Sequence, residues 1–251
     1  MNEISQRLAA LQARMTAAAL QAGRDPTSVR LLAVSKGQSL GKIAQGRAAG
    51  QIFFGENYAQ ELVRKADALQ NLPATGDRQP ATAVEWHFIG HLQRNKVRLV
   101  VPHCRMIHSI DSQALAAEIE RRATAPIAGL IEIQLAPEEP KGGIAPSQLR
   151  ELLQACASFD RLRIVGLMCI PPITASAETS RPFFQQLRAL QGEGNRNGWY
   201  TTPLTELSMG MSHDFEIAIA EGATWVRLGT AIFGERPMRG EHRGASSSGF
   251  S

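Results

Sequence analysis

The chain has 251 residues, 43% hydrophobic and 20% charged, enough apolar material for a sizeable core and too much for a largely disordered chain. Its formal net charge of +4 is dispersed without basic blocks, which argues against a nucleic-acid partner. Three cysteines, Cys104, Cys156 and Cys169, form no CxxC pair and suit a reducing cytoplasm better than a disulfide framework, while no apolar run reaches the ~18 residues of a membrane span.

The opening stretch, 3–22, carries Ile4, Leu8, Leu11, Met15 and Leu20 near helical spacing. It predicts an amphipathic helix that stops at Gly23. Charges at helical spacing and the lack of an apolar h-region make it a cytoplasmic start, not a signal peptide. Eight strand-like runs follow: LLAVS (31–35), QIFFG (51–55), WHFIG (86–90), MIHSI (106–110), AGLIEIQL (128–135), IVGLMCI (164–170), TELSM (205–209) and WVRLG (225–229). Amphipathic stretches lie between them, among them 57–70, 112–123, 146–158 and 178–191. Asp111 or Ser112 is expected to cap the stretch at 112–123, and Ser147 to open the next after Pro146.

Strands alternating with helices predict parallel βαβ units. Eight of them in a chain of this length predict a closed (β/α)8 TIM barrel with an extra N-terminal helix. A doubly wound open sheet is the alternative, and the regularity of the units counts against it. Residues 1–236 read as one domain, 73–83 as a surface loop, and the Gly/Ser-rich tail 237–251 as disordered.

In such barrels the active site lies at the C-terminal ends of the strands. The first strand ends in Ser35-Lys36-Gly37. Leu32, Val34 and Lys36 share one face by alternation. If that face lines the barrel, Lys36 is an amine above an apolar pocket, where desolvation favours the neutral nucleophile that forms a Schiff base. The alternative is a lysine that snorkels to solvent. The seventh strand runs into LSMGMSHD (207–214), with the Ser208 and Ser212 hydroxyls around Gly210 and a helix start expected near Ser212 or His213. The eighth ends in RLGTAIFG (227–234), with Gly229 and Thr230 at the turn. Barrels often bind phosphate between these two loops, at a helix N-terminus; no GxxxxGK[ST] sequence marks a nucleotide P-loop.

Trp225, Arg227 and Gly229 share a face on the last strand, so Arg227 is expected inside the barrel. A buried guanidinium requires a partner. The structural candidates are Glu132 and Glu206, and the functional one is a ring atom of a cofactor. An amine nucleophile, a phosphate cradle and a ring-facing arginine together describe a pyridoxal phosphate pocket.

Six segments carry a family resemblance: AVSKG (33–37), FGENYAQE (54–61), WHFIGHLQRNK (86–96), GLMCIPP (166–172), SMGMSHDF (208–215) and ATWVRLGTAIFG (223–234). In this order they resemble the pyridoxal phosphate homeostasis protein family, from Lys36 to Gly234. The resemblance implies a fold type III barrel related to the alanine racemase N-terminal domain, and pyridoxal 5'-phosphate held as an aldimine on Lys36. It implies that Arg227 faces the pyridine nitrogen. It further implies that Ser208, Ser212, Gly229 and Thr230, with the main chain near Met209, hold the phosphate, and that Asn57 and Met168 line the pocket. Gly37 stands where the family more often has Thr, which loosens the turn after Lys36.

Other residues weigh less. His87 and His91 form HxxxH but need not share a face, and the third ligand of a metal site is missing; His87 is read as lining the barrel. The PHCRMIH stretch (102–108), with His103, Cys104 and His108, is read as structural. Lys141 is either a second amine near the mouth or a solvent-exposed loop lysine. Tyr58 is a pocket-edge residue or a helix-start aromatic.

Two functional classes remain: a non-catalytic carrier, monomeric and cytoplasmic, that hands pyridoxal phosphate to apo-enzymes, and a racemase-like enzyme. Racemisation needs a second base, which alanine racemases supply as a tyrosine from another domain. Only Tyr58 and Tyr200 are available here. The carrier is the expected class. A barrel with an incidental anion site, or a metal-dependent hydrolase, has less support.

Overall fold

A computed structural model of the chain describes residues 2–70, 83–136, 142–172 and 176–235. The expected loop at 73–83 (apart from Ala83), Lys141 and the tail 237–251 lie outside the described residues. Eight parallel strands close into a barrel in sequence order: β1 Arg30–Val34, β2 Phe53–Glu56, β3 Glu85–Phe88, β4 Cys104–Ile110, β5 Ile127–Glu132, β6 Leu162–Met168, β7 Glu206–Ser208 and β8 Trp225–Leu228. Closure is made where β1 pairs with β8, Leu32 opposite Arg227. Each expected strand is present, with ends moved by up to a few residues.

The N-terminal helix α1 (Glu3–Gln21) is capped by the Asn2 side chain, which accepts from the Ser5 N–H at 2.8 Å. It ends at Gly23, whose φ of +67° suits glycine. Leu20 departs from the expected stripe: it is 62% exposed, and Ala18 and Ala19 take the buried positions. Around the barrel run α2 (Leu40–Ala48), α3 (Ala59–Gln70), the short α4 (Val97–Val100), α5 (Gln113–Arg122), α6 (Leu149–Cys156), α7 (Arg181–Arg196), α8 (Phe215–Ala220) and the single turn α9 (Thr230–Phe233).

Two helix starts differ from expectation. Ser112 caps α5 through the Leu115 N–H. Ser147, however, lies inside a 3-10 turn, Pro146–Gln148, that precedes α6, and there the Ala145 N–H donates to the Gln148 side chain. The helix expected near Ser212 starts later, because Asp214 accepts the Met211 N–H at 2.7 Å and holds 211–214 as a turn ahead of α8.

Burial divides into two apolar sets. The larger lies between strands and helices. The smaller fills the barrel with Leu32, Ile89, Met106, Leu130, Met168 and Trp225, backed by Val34 and Phe53. Simple alternation fails on β6, where the register with β5 shifts between Gly129 and Leu130. Val165 and Met168 both reach the inner set as a result. Gly166 beside that shift admits no side chain: a Cβ would sit 1.9 Å from the Glu206 carbonyl oxygen.

Candidate functional site

Lys36 is half-buried in the turn that follows β1, two residues beyond Val34, which with Leu32 belongs to the barrel interior. Asn57 follows the end of β2, half-buried, and its Oδ1 is buried without a hydrogen-bond partner. Its backbone is pressed against the end of β3, where a Cβ on Gly90 would come 2.2 Å from the Asn57 carbonyl oxygen. Met168 is fully buried in the inner set.

Arg227 enters from β8 and is buried as expected, but neither expected carboxylate bonds it. Its Nη1 donates to Ser208 Oγ at 2.7 Å and its Nη2 to the Cys169 carbonyl at 2.8 Å. Glu206 instead pairs with Arg30 and accepts from Thr224, because it lies at the opposite, N-terminal end of β7. Glu132, at the end of β5, senses Arg227 only through the field. Burial raises its carboxyl to about 7, against the pull of Arg227 and with a push from Asp111. Burial lowers the Arg227 guanidinium from its ordinary value, opposed by Cys169, Glu132 and Asp214.

Ser208 therefore faces Arg227, not an open loop. The same hydroxyl lies 2.9 Å from His108 Nδ1, and His108 Nε2 lies 2.9 Å from His87 Nδ1. His87 also packs edge-on against Trp225, ring centroids 4.8 Å apart. Burial drives both imidazoles toward the neutral form: His87 falls to about 3, and His108 well below its ordinary value with further repulsion from His87 and Arg227. The sequence signal for this pair was two histidines on the inward faces of neighbouring strands.

The remaining expected residues separate into two groups. Ser212 and Thr230 bring their hydroxyls to 3.5 Å. Gly229 stands beside them, and a Cβ there would meet the Val34 carbonyl at 3.2 Å. The first intrahelical bonds of α9 run from the Ile232 and Phe233 N–H groups to the Gly229 carbonyl, so the N–H groups of Thr230 and Ala231 point out of the turn, as an anion requires. Met209 is set apart. Its side chain lies in the outer core, and its N–H is given to the Trp225 carbonyl at 3.1 Å.

His91 does not meet His87; it lies 3.3 Å from Asp111. Among the described residues no cluster of three or more His, Cys, Asp or Glu could hold a metal ion. Tyr58 is 60% exposed beside α3, and the Tyr200 hydroxyl accepts the Ile164 N–H near the start of β6. Sequence reasoning missed one feature of the site. Lys65 of α3, fully buried, pairs with Glu56 and Glu61 beneath the β1 turn. Its signal was a lysine on the buried face of α3, between Leu62 and Leu69.

Residues 6–237 match the model of the alanine racemase N-terminal domain family. The chain is 41% identical over 234 residues to the pyridoxal phosphate homeostasis protein of Aquifex aeolicus, covering 92% of this chain and 97% of that one. It is 43% identical over 242 residues to the protein of the same name from Escherichia coli K12, covering 94% and 98%. Among solved structures, PipY of Synechococcus elongatus with bound PLP superposes with a TM-score of 0.79 at 37% identity, covering 92% of this chain and all of PipY. The chain belongs to the pyridoxal phosphate homeostasis protein family, built on the alanine racemase N-terminal barrel.

Proposed function

We propose that this protein holds pyridoxal 5'-phosphate at the C-terminal mouth of the barrel, bonded to Lys36, and releases it to apo-enzymes of the cytoplasm. The observation that carries this reading is the buried Arg227, which lies on β8 beside the strand that leads into Lys36 and is fixed by Ser208 and the Cys169 carbonyl. Two of its five N–H groups serve those acceptors, which leaves donors for a ring nitrogen. The orphaned Asn57 Oδ1 fits a pocket that receives a polar ligand. The relatives named for pyridoxal phosphate homeostasis, and PipY with PLP, support the choice of ligand.

When bound, pyridoxal phosphate supplies an aldehyde to a lysine amine. Lys36 would hold that aldehyde through its amine, in a reversible condensation that exchanges one water. Ser212, Thr230 and the N–H groups opening α9 orient the phosphate, with Gly229 keeping the backbone close. Asn57 and Met168 flank the ring. Ser208 acts through Arg227, and Met209 through its place in the chain between Ser208 and Gly210.

Arg227 donates and cannot accept, so a ring nitrogen facing it stays unprotonated and withdraws few electrons from a substrate carbon. Tyr58 and Tyr200 do not meet in the barrel mouth as a second base. Both points favour a carrier over a racemase. The three cysteines are free and buried, as suits a reducing compartment, and among the described residues no helix is long and apolar enough to cross a membrane.

The test is borohydride trapping. Purified protein with pyridoxal phosphate should show a visible band that borohydride bleaches, with the added mass on the Lys36 peptide, and Lys36→Ala should show neither. A wild type that takes up no mass overturns the cofactor reading. Lys36-dependent racemisation of amino acids at ordinary enzymic rates, about 1 per second or faster, overturns the carrier reading.

A further inference from the structure

Beneath Lys36 lies a polar cluster in a place where apolar packing would be expected. Lys65 is 0% exposed, as is Glu56, and Glu61 is 17% exposed. An ammonium has three N–H donors. Lys65 places them on Glu56 Oε1 at 2.7 Å, Glu61 Oε1 at 2.7 Å and the Ser35 carbonyl at 2.6 Å.

The two carboxylates reach the same turn. Glu56 Oε1 accepts the Ser35 hydroxyl at 2.6 Å. Glu61 Oε1 accepts the Gly37 N–H at 2.7 Å. The bonds therefore clasp the residue before Lys36 and the residue after it. Gly37 has φ +72°, a conformation that glycine enters freely and from which it also escapes freely.

A buried ion cluster is a poor way to gain stability, because removing charges from water costs several kcal/mol per ion and a well-packed apolar set often does as well. What this cluster adds is direction. The backbone groups it holds, the Ser35 carbonyl and the Gly37 N–H, are the two that fix how residue 36 leaves the strand.

We propose that Glu56, Glu61 and Lys65 are positioning residues that aim the Lys36 amine into the barrel mouth. This rests on the reading of Lys36 as the residue that takes pyridoxal phosphate. Glu61 is the sensitive member, since it alone holds the flexible Gly37. The cluster also makes α3 the element that sets the reactivity of a residue in the turn after β1.

The test compares Glu61→Ala with Glu61→Gln in the full chain. The glutamine oxygen still accepts from Gly37; alanine does not. In the first measurement, pyridoxal phosphate is added, its aldehyde condenses with Lys36 with loss of water, and borohydride fixes the bond by adding hydride. Capture should slow about tenfold in Glu61→Ala, as expected for a lost hydrogen bond to a charged group. It should return to within about threefold of wild type in Glu61→Gln. In the second measurement, ligand-free protein is acetylated with acetic anhydride, and the rates at Lys36 and at Lys96, the last residue of the 3-10 turn Arg94–Lys96 after β3, are compared by peptide mass. The Lys36-to-Lys96 ratio should change in Glu61→Ala and recover in Glu61→Gln.

Equal capture and equal ratios in all three proteins overturn the proposal. So does a glutamine variant as impaired as the alanine one, because charge or fold would then be the cause. A wild type that captures no pyridoxal phosphate while the acetylation ratios still follow this pattern sinks the cofactor reading alone. Lys65→Met, whose folding is at greater risk, should slow capture and shift the acetylation ratio at least as much as Glu61→Ala does. Wild-type values in a folded Lys65→Met also overturn the proposal.

Discussion

Arg227 Nη1 lies 2.7 Å from the Ser208 hydroxyl, and that contact opens a buried polar chain. A guanidinium only donates, so Ser208 Oγ accepts. The same hydroxyl lies 2.9 Å from His108 Nδ1, and His108 Nε2 lies 2.9 Å from His87 Nδ1. A hydroxyl oxygen has two acceptor lone pairs besides its proton, so either tautomer of the two rings closes the chain. The chain is satisfied with both imidazoles neutral, in agreement with the downward push that burial gives them.

Ser208→Ala should therefore act first on stability. It leaves one Arg227 N–H and His108 Nδ1 buried without a partner, at a cost of about 1–3 kcal/mol, readable by urea denaturation. It also separates two roles for this serine. Acting through Arg227, the substitution should weaken pyridoxal and pyridoxal phosphate binding by the same factor. Were Ser208 a phosphate ligand, only the phosphorylated form would suffer.

The histidine pair predicts acid sensitivity. Each is neutral in the fold, with His87 at about 3 and His108 well below its ordinary 6.5. Unfolded, both take up protons below about pH 6.5. The unfolded state then binds more protons than the folded one, so stability falls as pH falls from 6.5 toward 3, and above 6.5 the pair adds no pH dependence. For His87, the loss is about 2 kcal/mol between pH 6.5 and 4.5, and His108 adds a loss of the same sign. In His87→Gln, whose amide can still pair with His108, the His87 share of that fall should disappear. Other carboxyls titrate alike in both proteins and cancel in the comparison. Equal slopes for the two proteins would contradict the neutral pair.

Much of this was legible in the sequence because a parallel barrel writes itself as short apolar runs at regular spacing. Alternation on LLAVS and WVRLG correctly put Leu32, Val34 and Arg227 inside. What alternation does not carry is partner choice across the barrel. Glu132 and Glu206 are both inward-facing acids near Arg227 in sequence pattern, yet Glu206 stands at the wrong end of its short strand and Glu132 makes no hydrogen bond to it. Ser208 reads as a loop hydroxyl, and only the closure of β7 against β8 turns it onto Arg227. Ser147 reads as a helix cap because a 3-10 turn and an α-helix share the same local signals until the third residue. Lys65 was the most legible of the missed residues, since a charge on the buried stripe of an amphipathic helix requires a partner.

Close approach sets the next prediction. A Cβ on Gly90 would lie 2.2 Å from the Asn57 carbonyl oxygen and 2.7 Å from its Cα. Both neighbours are backbone, so no side chain can swing away. Gly90→Ala should cost about 1–3 kcal/mol as an overpacked site and should displace Asn57. Asn57→Ala removes only the side chain, and should weaken pyridoxal phosphate binding with little change in melting temperature. Thermal melts and spectroscopic titrations of the two variants distinguish these effects; a Gly90→Ala protein that melts and binds like wild type would contradict the packing argument.

Glu132 provides the opposite pH signature to the histidines. It is 6% exposed, and its carboxylate oxygens lie within 3.4–3.5 Å of where a Gly142 side chain would begin. Water is largely excluded by the fold around it. Burial raises the carboxyl from its ordinary 4.5 to about 7. Between those values the folded state holds a proton that the unfolded state has lost. Stability is therefore complete below pH 4.5, declines as pH rises through 7, and levels off above. The total is about 3 kcal/mol by linkage. Glutamine mimics the protonated acid at every pH. Relative to wild type, Glu132→Gln should gain about 3 kcal/mol between pH 4 and pH 8, whatever constant offset the amide introduces. Because Arg227 is the charge that draws Glu132 downward, removing that charge with Arg227→Gln should raise the Glu132 midpoint further and move the decline to higher pH. Urea denaturation from pH 4 to pH 9 on the three proteins measures this directly, and a pH-independent difference between wild type and Glu132→Gln would show that the fold does not raise this carboxyl.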